Sequence, residues 1–381
     1  MFVLNNKEMN PFLIQNYISA KYFCNRFDEI NTLTRNIENQ SNTVLFAQRK
    51  VGKSAMISHL LSGLDKKKYS CIYLDIYATQ NLSELTNQLA NSIYQVYDEN
   101  KKISLKFWES IKLLRPILSI NQMSGMPELS LDISKSKQIE QSIPKLLQFI
   151  EKQDKKIVIA IDEFQQILEY PETNVEALLR TTIQKLNNVV FIFLGSNQKM
   201  MKEIFNDAKR PFYSSSKNLS LPKIEKSDYI KFIKKHFNDS KIEISKETID
   251  YILELTTNHT YFTQRLCHEL FSLNYKSIDD SIVMKTLQSI LNQNESVYYQ
   301  YRNMLSSKQW QLLEAIAKEE VLFKPYSTKF IHKYNLGQSA SVKRTLESLL
   351  SKELIFHHLN LELPYYEVQD KFLMKWFQFK S

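Results

Sequence analysis

Glycine and cysteine are scarce in this chain of 381 residues, which contains five glycines and three cysteines. The cysteines, Cys24, Cys71 and Cys267, are odd in number and far apart, so their spacing predicts neither a disulfide framework nor a metal site. Reduced thiols are typical of a cytoplasmic protein. No apolar run approaches the roughly 20 residues that cross a membrane, and residues 1–10 lack the pattern of a signal peptide. We therefore expect a cytoplasmic protein without membrane contacts.

The composition that is present indicates a folded, soluble protein. Hydrophobic residues make up 43% and charged residues 24% of the chain, the proportions of a globular protein. The length predicts two or three domains. The formal net charge of +9 is compatible with nucleic acid binding, but a lysine-rich protein reaches the same charge without such a partner.

One of the few glycines, Gly52, stands directly before Lys53 and Ser54. The apolar run 43–46 before this segment predicts a buried strand, and the run 55–64 after it predicts an amphipathic helix. A strand, a loop and a helix in this order predict a phosphate-binding loop, whose backbone N–H groups surround the β-phosphate of a nucleotide. Lys53 would reach the β- and γ-phosphates, and Ser54 would bind Mg²⁺ through its hydroxyl. The predicted nucleotide-binding residues of the segment are Gln48, Arg49, Lys50, Val51, Gly52, Lys53, Ser54 and Ala55.

This loop departs from the full pattern at its first position, where Ala47 replaces glycine. Gly52, the glycine beside the phosphates, is kept, and there a side chain would collide with the nucleotide. A helix N-terminus preceded by a glycine turn is the alternative interpretation of the segment.

A second pattern follows later in the chain, where the apolar run Ile157–Ile161 ends in Asp162 and Glu163. An unbroken apolar run predicts a strand covered on both faces, as in a parallel sheet. Asp162 would bind Mg²⁺ through water, and Glu163 would act as general base on the attacking water. A buried strand that runs into a charged loop is the alternative, but the two patterns together predict binding of ATP or GTP.

Strands and helices alternate along the first part of the chain and predict a parallel α/β sheet. Residues 115–134 interrupt the alternation with two short segments of alternating apolar and polar residues on either side of a turn that contains Gly125. This pattern predicts a β-hairpin insertion, which either contacts a partner or covers the edge of the sheet.

The motifs resemble, in their order, the archaeal ATPase family of prokaryotic P-loop ATPases, which is similar to the AAA+ and STAND classes and to origin-recognition ATPases. The resemblance extends over nearly the whole chain and rests on the segments 10–12, 23–29, 48–54, 161–165, 193–197, 210–213 and 258–267. It implies a P-loop ATPase core over residues 1–222, a helical lid over 223–300 and a winged-helix domain over 301–381, with ATP as the nucleotide. Thr260 stands where the family usually has proline. Together with Ala47, this residue makes nucleotide binding a firmer expectation than rapid hydrolysis.

The resemblance also implies roles for single residues. Arg26 packs beside the adenine or pairs with Glu29. Asn197 lies at the end of a strand next to the strand of Asp162, where it would orient the attacking water, and Ser196 is a competing candidate.

Arg210 and Arg180 are candidates for an arginine finger, which stabilises the charge that develops on the γ-phosphate. Both are otherwise surface or packing arginines. A finger that acts on a neighbouring copy would imply a homo-oligomer.

Three predicted helices followed by two strands, near 353–356 and 365–368, predict the winged helix from the residues themselves. In a DNA-binding protein of this kind the third helix enters the major groove, and its exposed cations are Lys343 and Arg344. The same helix carries Glu347, so its positive charge is modest. Double-stranded DNA and a protein partner both stay open as ligands.

The sequence therefore predicts a Mg²⁺-dependent ATPase that acts as a molecular switch and couples its nucleotide state to the winged helix. A nucleotide-binding scaffold or adaptor with little hydrolysis is the alternative.

Overall fold

A computed structural model describes residues 9–97, 101–122, 125–132, 136–358 and 362–380. Packing divides the chain into two compact units. One unit comprises residues 26–222, and the other joins the residues up to 25 with those from 223 onward. No helix in the described ranges is both long and apolar enough to span a membrane.

The unit of residues 26–222 is an α/β structure. Its elements are α1 (Phe27–Glu38), β1 (Thr43–Phe46), α2 (Lys53–Gly63), β2 (Tyr69–Asp75), α3 (Leu82–Tyr97), α4 (Lys101–Ile111), β3 (Pro116–Ile120), β4 (Pro127–Leu131), α5 (Ser136–Glu151), β5 (Lys156–Asp162), α6 (Val175–Ile183), β6 (Val189–Gly195), α7 (Gln198–Asn206) and β7 (Lys217–Ser220), with 3₁₀ helices at Lys112–Leu114 and Phe164–Glu169. Five strands form one sheet in the order β2–β5–β6–β1–β7. All four strand pairs are parallel, as the alternation of strands and helices predicted.

The centre of this sheet is buried on both faces. In β5, Ile157 and Ile159 lie on one face and Val158 and Ala160 on the other, and all four are fully buried. Burial of consecutive positions requires cover on both sides of the sheet, so the prediction from the unbroken apolar run is confirmed.

A β-hairpin lies where the sequence predicted one, with β3 and β4 antiparallel. It packs on α3, whose Asn91 and Asn87 accept hydrogen bonds from the backbone N–H groups of Leu129 (3.1 Å) and Leu131 (2.7 Å). Its two strands form a separate sheet within the described chain. Residues 123–124 and 133–134 of the predicted insertion lie outside the described residues.

Helix α4 was not predicted. Among its residues whose burial is described, Phe107 and Ile111 are fully buried, one turn apart. The sequence signal for a helix comes from apolar residues that repeat at helical spacing. Two buried positions in a lysine-containing segment give only a weak signal of this kind, so the helix was missed.

The second unit is mainly helical. Its elements are a 3₁₀ helix at Ala20–Tyr22, α8 (Lys226–Asp239), β8 (Glu243–Ile244), α9 (Lys246–Leu255), α10 (Thr260–Ser272), β9 (Ser277–Ile278), α11 (Asp280–Gln293), α12 (Glu295–Met304), α13 (Ser307–Glu319), α14 (Thr328–Lys333), α15 (Ser339–Ser351), β10 (Ile355–His358), β11 (Tyr365–Val368) and α16 (Lys371–Phe379). The short parallel pair β8–β9 was not predicted, because two-residue strands carry no periodic signal.

Residues 9–25 pack with this second unit, whereas the sequence predicted a core that begins at residue 1. Phe12 is fully buried and its ring lies 4.9 Å from that of Phe237. Asn10 donates to the carbonyl of His268 (3.0 Å), and the His268 ring Nδ1 lies 2.8 Å from the Phe12 carbonyl. The N-terminal segment is short and has one buried aromatic residue. Its sequence therefore does not predict the helix on which it packs. The predicted division at 300 and 301 lies inside this unit and stays a prediction.

The last part of the unit has three helices, α13 to α15, followed by the antiparallel pair β10–β11. Helix α16 was not predicted. It begins at Asp370, whose side chain accepts hydrogen bonds from two backbone N–H groups of the first turn. The helix buries Phe372, Leu373 and Trp376 in the core of the unit.

A charged pair is buried beside this helix. Lys371 is fully buried and lies 2.8 Å from Glu367, which also lies 2.9 Å from His358. Burial alone would raise the pKa of Glu367, but Lys371, His358 and Lys223 outweigh it and hold that pKa well below its ordinary value. Burial lowers the pKa of Lys371 to about 8, against the attraction of Glu367. The two charges therefore depend on each other.

We expect Glu367→Gln to lower the free energy of unfolding by about 3–5 kcal/mol, because the change leaves the Lys371 ammonium buried without its carboxylate. Because the folded pKa of Glu367 lies below its ordinary value of 4.5, the carboxylate stabilises the fold above that pH, and this contribution is lost as the pH falls below it. Urea unfolding at neutral and acidic pH measures both effects. Glu347→Gln, a change of the same kind at an exposed position of α15, is the control and should cost less than about 0.5 kcal/mol. Equal losses in the two variants would contradict the prediction.

Candidate nucleotide-binding site

The predicted phosphate-binding loop connects β1 to α2. Gly52 has φ 92°, in the left-handed region that favours glycine, and α2 begins at the next residue, Lys53. Lys53, Gln48 and Val51 are buried, whereas Lys50 and Ser54 are exposed. The loop therefore presents a helix N-terminus, with its partial positive charge, beside a buried lysine.

Arg26 supports the loop through a hydrogen bond to its backbone. Its guanidinium donates to the carbonyl of Pro222 (2.6 Å), to Glu29 (3.1 Å) and to the carbonyl of Val51 (3.3 Å), and the residue is 4% exposed. Of the two predicted roles, pairing with Glu29 is observed. The contact with Val51 makes Arg26 a support of the loop as well.

Three side chains meet at the ends of β2 and β5. Ser54 donates its hydroxyl hydrogen to Asp162 Oδ2 (2.6 Å), and Tyr73 donates to the same oxygen (2.6 Å). The other oxygen of Asp162 accepts the backbone N–H of Glu163 (2.9 Å). Ser54 and Asp162 thus lie together, as expected for two Mg²⁺-binding residues, whereas Tyr73 was not predicted. A hydroxyl two residues before the carboxyl end of β2 was the sequence signal for it.

Mg²⁺ prefers oxygen ligands. It usually binds one or two protein oxygens together with substrate phosphates and water. Ser54 and Asp162 provide such oxygens beside the phosphate-binding loop. These two residues therefore fit Mg²⁺.

Glu163 lies next to Asp162 with φ 54° and is held by two donors. Ser196 donates to Glu163 Oε2 at 2.7 Å, and the amide of Gln165 donates to the same oxygen. Arg49 of the loop donates to Ser196 (3.4 Å). A chain of hydrogen bonds therefore leads from the loop through Ser196 to the predicted general base.

Asn197 lies at the start of α7, and its predicted role in orienting the attacking water stays a prediction. Its side-chain oxygen accepts the backbone N–H of Met200 (3.1 Å) and so caps α7. Of the two competing candidates, Ser196 contacts Glu163. Asparagine is among the favoured N-cap residues, which is the sequence signal for this capping contact.

The candidate arginine fingers lie on or near α6 and α7. Arg210 donates to Glu176 (2.8 Å) and also pairs with Glu203. Burial raises the pKa of Glu176, while Arg210 acts to lower it. Arg180 is half-buried on α6, and its side chain has no hydrogen bond or ion pair within the described part of the chain. A finger role for either arginine stays a prediction.

The candidate DNA-binding residues lie in the other unit. Lys343 and Arg344 are exposed in the first half of α15, and Glu347 is exposed one turn later. The two histidines of the wing are in contact with side chains of β11. His357 stacks on Tyr366, and His358 pairs with Glu367.

Fold and site together define a protein of the P-loop ATPase class with a winged helix. The chain belongs to the family of ATPase domains predominantly from Archaea, whose pattern matches residues 23–261, and residues 296–379 match a probable winged helix domain. The predicted family and fold class are thereby confirmed. A search of curated proteins found no match.

Several solved structures share the fold along nearly the whole chain. The Walker-type ATPase PABY2304 of Pyrococcus abyssi is 18% identical with a TM-score of 0.67, and the match covers 97% of this chain and 99% of that chain. The Aeropyrum pernix ORC2 protein in ADPNP–ADP complexes is 13% identical with a TM-score of 0.57, covering 98% of each chain. The Aeropyrum pernix ORC1 protein in complex with DNA is 11% identical with a TM-score of 0.50, covering 94% of this chain and 93% of that chain.

Gly195, at the end of β6, has no room for a side chain. A Cβ atom there would lie 2.4 Å from Gln165 Oε1 and 2.4 Å from Met201 Cγ. Met201 is fully buried, so the contact cannot be relieved by moving a side chain into solvent. Gln165 is also a donor to Glu163, so a side chain at Gly195 would displace a residue that holds this carboxylate.

Gly195→Ala should lower the free energy of unfolding by about 1–3 kcal/mol through overpacking. Gly63→Ala is the matched control, because no atom lies within 4 Å of a Cβ atom at that helix end. The control should be neutral or more stable by up to about 1 kcal/mol. Thermal unfolding of the two variants measures the difference, and an unchanged Gly195→Ala protein would contradict the packing argument.

Proposed function

We propose that this protein binds ATP with Mg²⁺ and hydrolyses it, and that the nucleotide state changes the arrangement of its lid and winged-helix domains. The observation that supports the proposal is the contact of Ser54 with Asp162, beside buried Lys53 and next to Glu163. Membership of an ATPase family supports nucleotide binding in general.

In the proposed reaction the loop and Lys53 bind the phosphates. The N–H groups at the start of α2 and the Lys53 ammonium offset the negative charge of the β- and γ-phosphates. When bound, Mg²⁺ neutralises phosphate charge, and Ser54 and Asp162 are the residues that hold it. A burial of 93% or more for Lys53 and Asp162 strengthens these interactions, because screening by water is weak there.

Glu163 accepts the proton of the attacking water. Both of its present donors, Ser196 and Gln165, contact the same oxygen. Catalysis therefore requires the water to enter this hydrogen-bond network, either at the other carboxylate oxygen or in place of one donor. Arg49 of the loop contacts Ser196. Phosphate binding at the loop would therefore shift Arg49 and change the hydrogen bond between Ser196 and Glu163.

A nucleotide-binding adaptor with little hydrolysis is the second candidate. It is favoured by the two hydrogen-bonded donors on Glu163 and by the pairing of Arg210 with Glu176 and Glu203. In the first proposal, Arg210 or Arg180 completes the site of a neighbouring copy in a homo-oligomer.

Two variants separate binding from hydrolysis. Lys53→Ala should weaken ATP binding about 10- to 150-fold, the equivalent of losing one hydrogen bond to a charged group. Glu163→Gln should keep ATP binding but lower turnover about 10²- to 10⁴-fold, because it removes the general base. A fluorescent ATP analogue measures binding, and phosphate release measures turnover. Lys67→Ala, at an exposed lysine outside the site, is the control for charge.

Undiminished binding by the Lys53 variant would reject the site. Absence of turnover in the wild-type protein, with intact ATP binding, would favour the adaptor.

We propose further that the winged helix contacts duplex DNA through phosphate groups. Lys343 and Arg344 are exposed at the start of the helix that enters the major groove in related domains. Replacing both by alanine should flatten the slope of log affinity against log salt by about two, because about one counterion is released for each phosphate contact. Filter binding of duplex DNA across a salt series measures the slope.

The control for this prediction is the double change of Lys308 and Lys352 to alanine, which removes two exposed positive charges from other positions in the same domain. An unchanged slope in the Lys343 and Arg344 variant, or no binding at low salt, would instead assign the winged helix to protein contacts.

A further inference from the structure

Tyr73 is a polar contact of Asp162 that the proposed reaction does not use. It lies on β2, the edge strand of the sheet, and pairs in register with Ala160 of β5. Its hydroxyl lies 2.6 Å from Asp162 Oδ2, the oxygen that also accepts the Ser54 hydroxyl at the same distance. Tyr73 therefore reaches the carboxylate that is proposed to hold Mg²⁺.

The hydrogen bonds of Asp162 leave little freedom to its carboxylate. Oδ1 accepts the N–H of Glu163, which fixes one oxygen to the backbone of the next residue. Oδ2 accepts hydrogen bonds from Ser54 of α2 and from Tyr73 of β2. A Ser54 hydroxyl that turns a lone pair toward a metal can still donate its hydrogen to Oδ2. Tyr73 is the second side-chain donor that fixes the direction of this oxygen.

We propose that Tyr73 is a positioning residue for the Mg²⁺ site, which orients the Asp162 carboxylate through its hydroxyl. This inference rests on the proposed function, because it concerns the same metal site. Partners that orient a metal-binding group typically change metal affinity 10- to 100-fold when they are removed. We expect a larger effect on metal binding than on nucleotide binding, because the hydroxyl contacts Asp162 and Ser54, the two proposed Mg²⁺-binding residues.

Tyr73→Phe tests the proposal, because it keeps the aromatic ring in its place and removes only the donor. The probe is a fluorescent ADP analogue, whose binding is measured in EDTA and then during titration with Mg²⁺. We expect unchanged binding in EDTA and an increase of about 10-fold or more in the Mg²⁺ concentration that gives half of the metal-dependent enhancement. Tyr69→Phe is the matched control, since Tyr69 lies at the other end of β2, opposite Lys156, and should titrate like wild type.

A double-mutant cycle with Asp162→Asn tests whether Tyr73 acts through this carboxylate. In the Asp162→Asn background, Tyr73→Phe should cause no further change in Mg²⁺ dependence, because the group it orients is already altered. An equal loss of ADP binding in EDTA and in Mg²⁺ would reveal a structural role and overturn the proposal. Unchanged or increased Mg²⁺ affinity in Tyr73→Phe would overturn it as well.

The proposed function and this inference fail in different ways. If the wild-type protein binds no ADP under either condition, the nucleotide site itself is wrong. If the wild-type protein binds ADP with enhancement by Mg²⁺ and Tyr73→Phe behaves identically, the nucleotide site stands and only the role of Tyr73 is rejected.

Discussion

Parallel pairing in the five-stranded sheet decides where the polar groups of the candidate site lie. The carboxyl ends of parallel strands meet at one edge of a sheet, and ligands of such sheets bind there. The register of β2 with β5 sets Asp75 opposite Asp162, and the register of β5 with β6 sets Ile161 opposite Phe193, two residues before the end of β6 at Gly195. Residues that are far apart in the chain therefore meet: Tyr73 and Ser54 reach Asp162, while Ser196 reaches Glu163. The apolar interiors of the same strands hold this edge in place.

Burial of polar groups then constrains the site further. A polar group removed from water costs free energy unless it is hydrogen-bonded, and a charge costs more. Arg26 and Asp162 are each 4% exposed, and each makes at least three hydrogen bonds. These bonds connect the loop to its support and Ser54 to the end of β5. The satisfaction of buried polar groups thus links the parts of the site to one another. A change in one hydrogen bond, such as that between Arg49 and Ser196, is expected to affect its neighbours.

In the other unit, the free-energy cost of burying a charged side chain is offset by a buried pair of opposite charges. Lys371 and Glu367 are both buried where β11 leads into α16, and His358 from β10 contacts the same carboxylate. A buried pair of this kind is a poor source of net stability, because desolvation opposes the attraction. It does fix the position of α16 relative to the two strands, since breaking the pair leaves an unpaired charge in the core. The wing and the last helix are therefore held together by charge as well as by apolar packing.

The sequence by itself determined the features that depend on local pattern. The unbroken apolar run at 157–161 specified a buried parallel strand, Gly52 before Lys53 and Ser54 specified the loop, and three helices with two strands specified the winged helix. Only the tertiary structure decided which polar residues touch. It brought Ser196 to Glu163, added Tyr73 to Asp162, joined Phe12 to the helical unit and paired Lys371 with Glu367. The physical reason is that periodicity reports which face of an element is buried, whereas a hydrogen bond depends on strand order, register and the direction of a side chain, which are set by long-range packing.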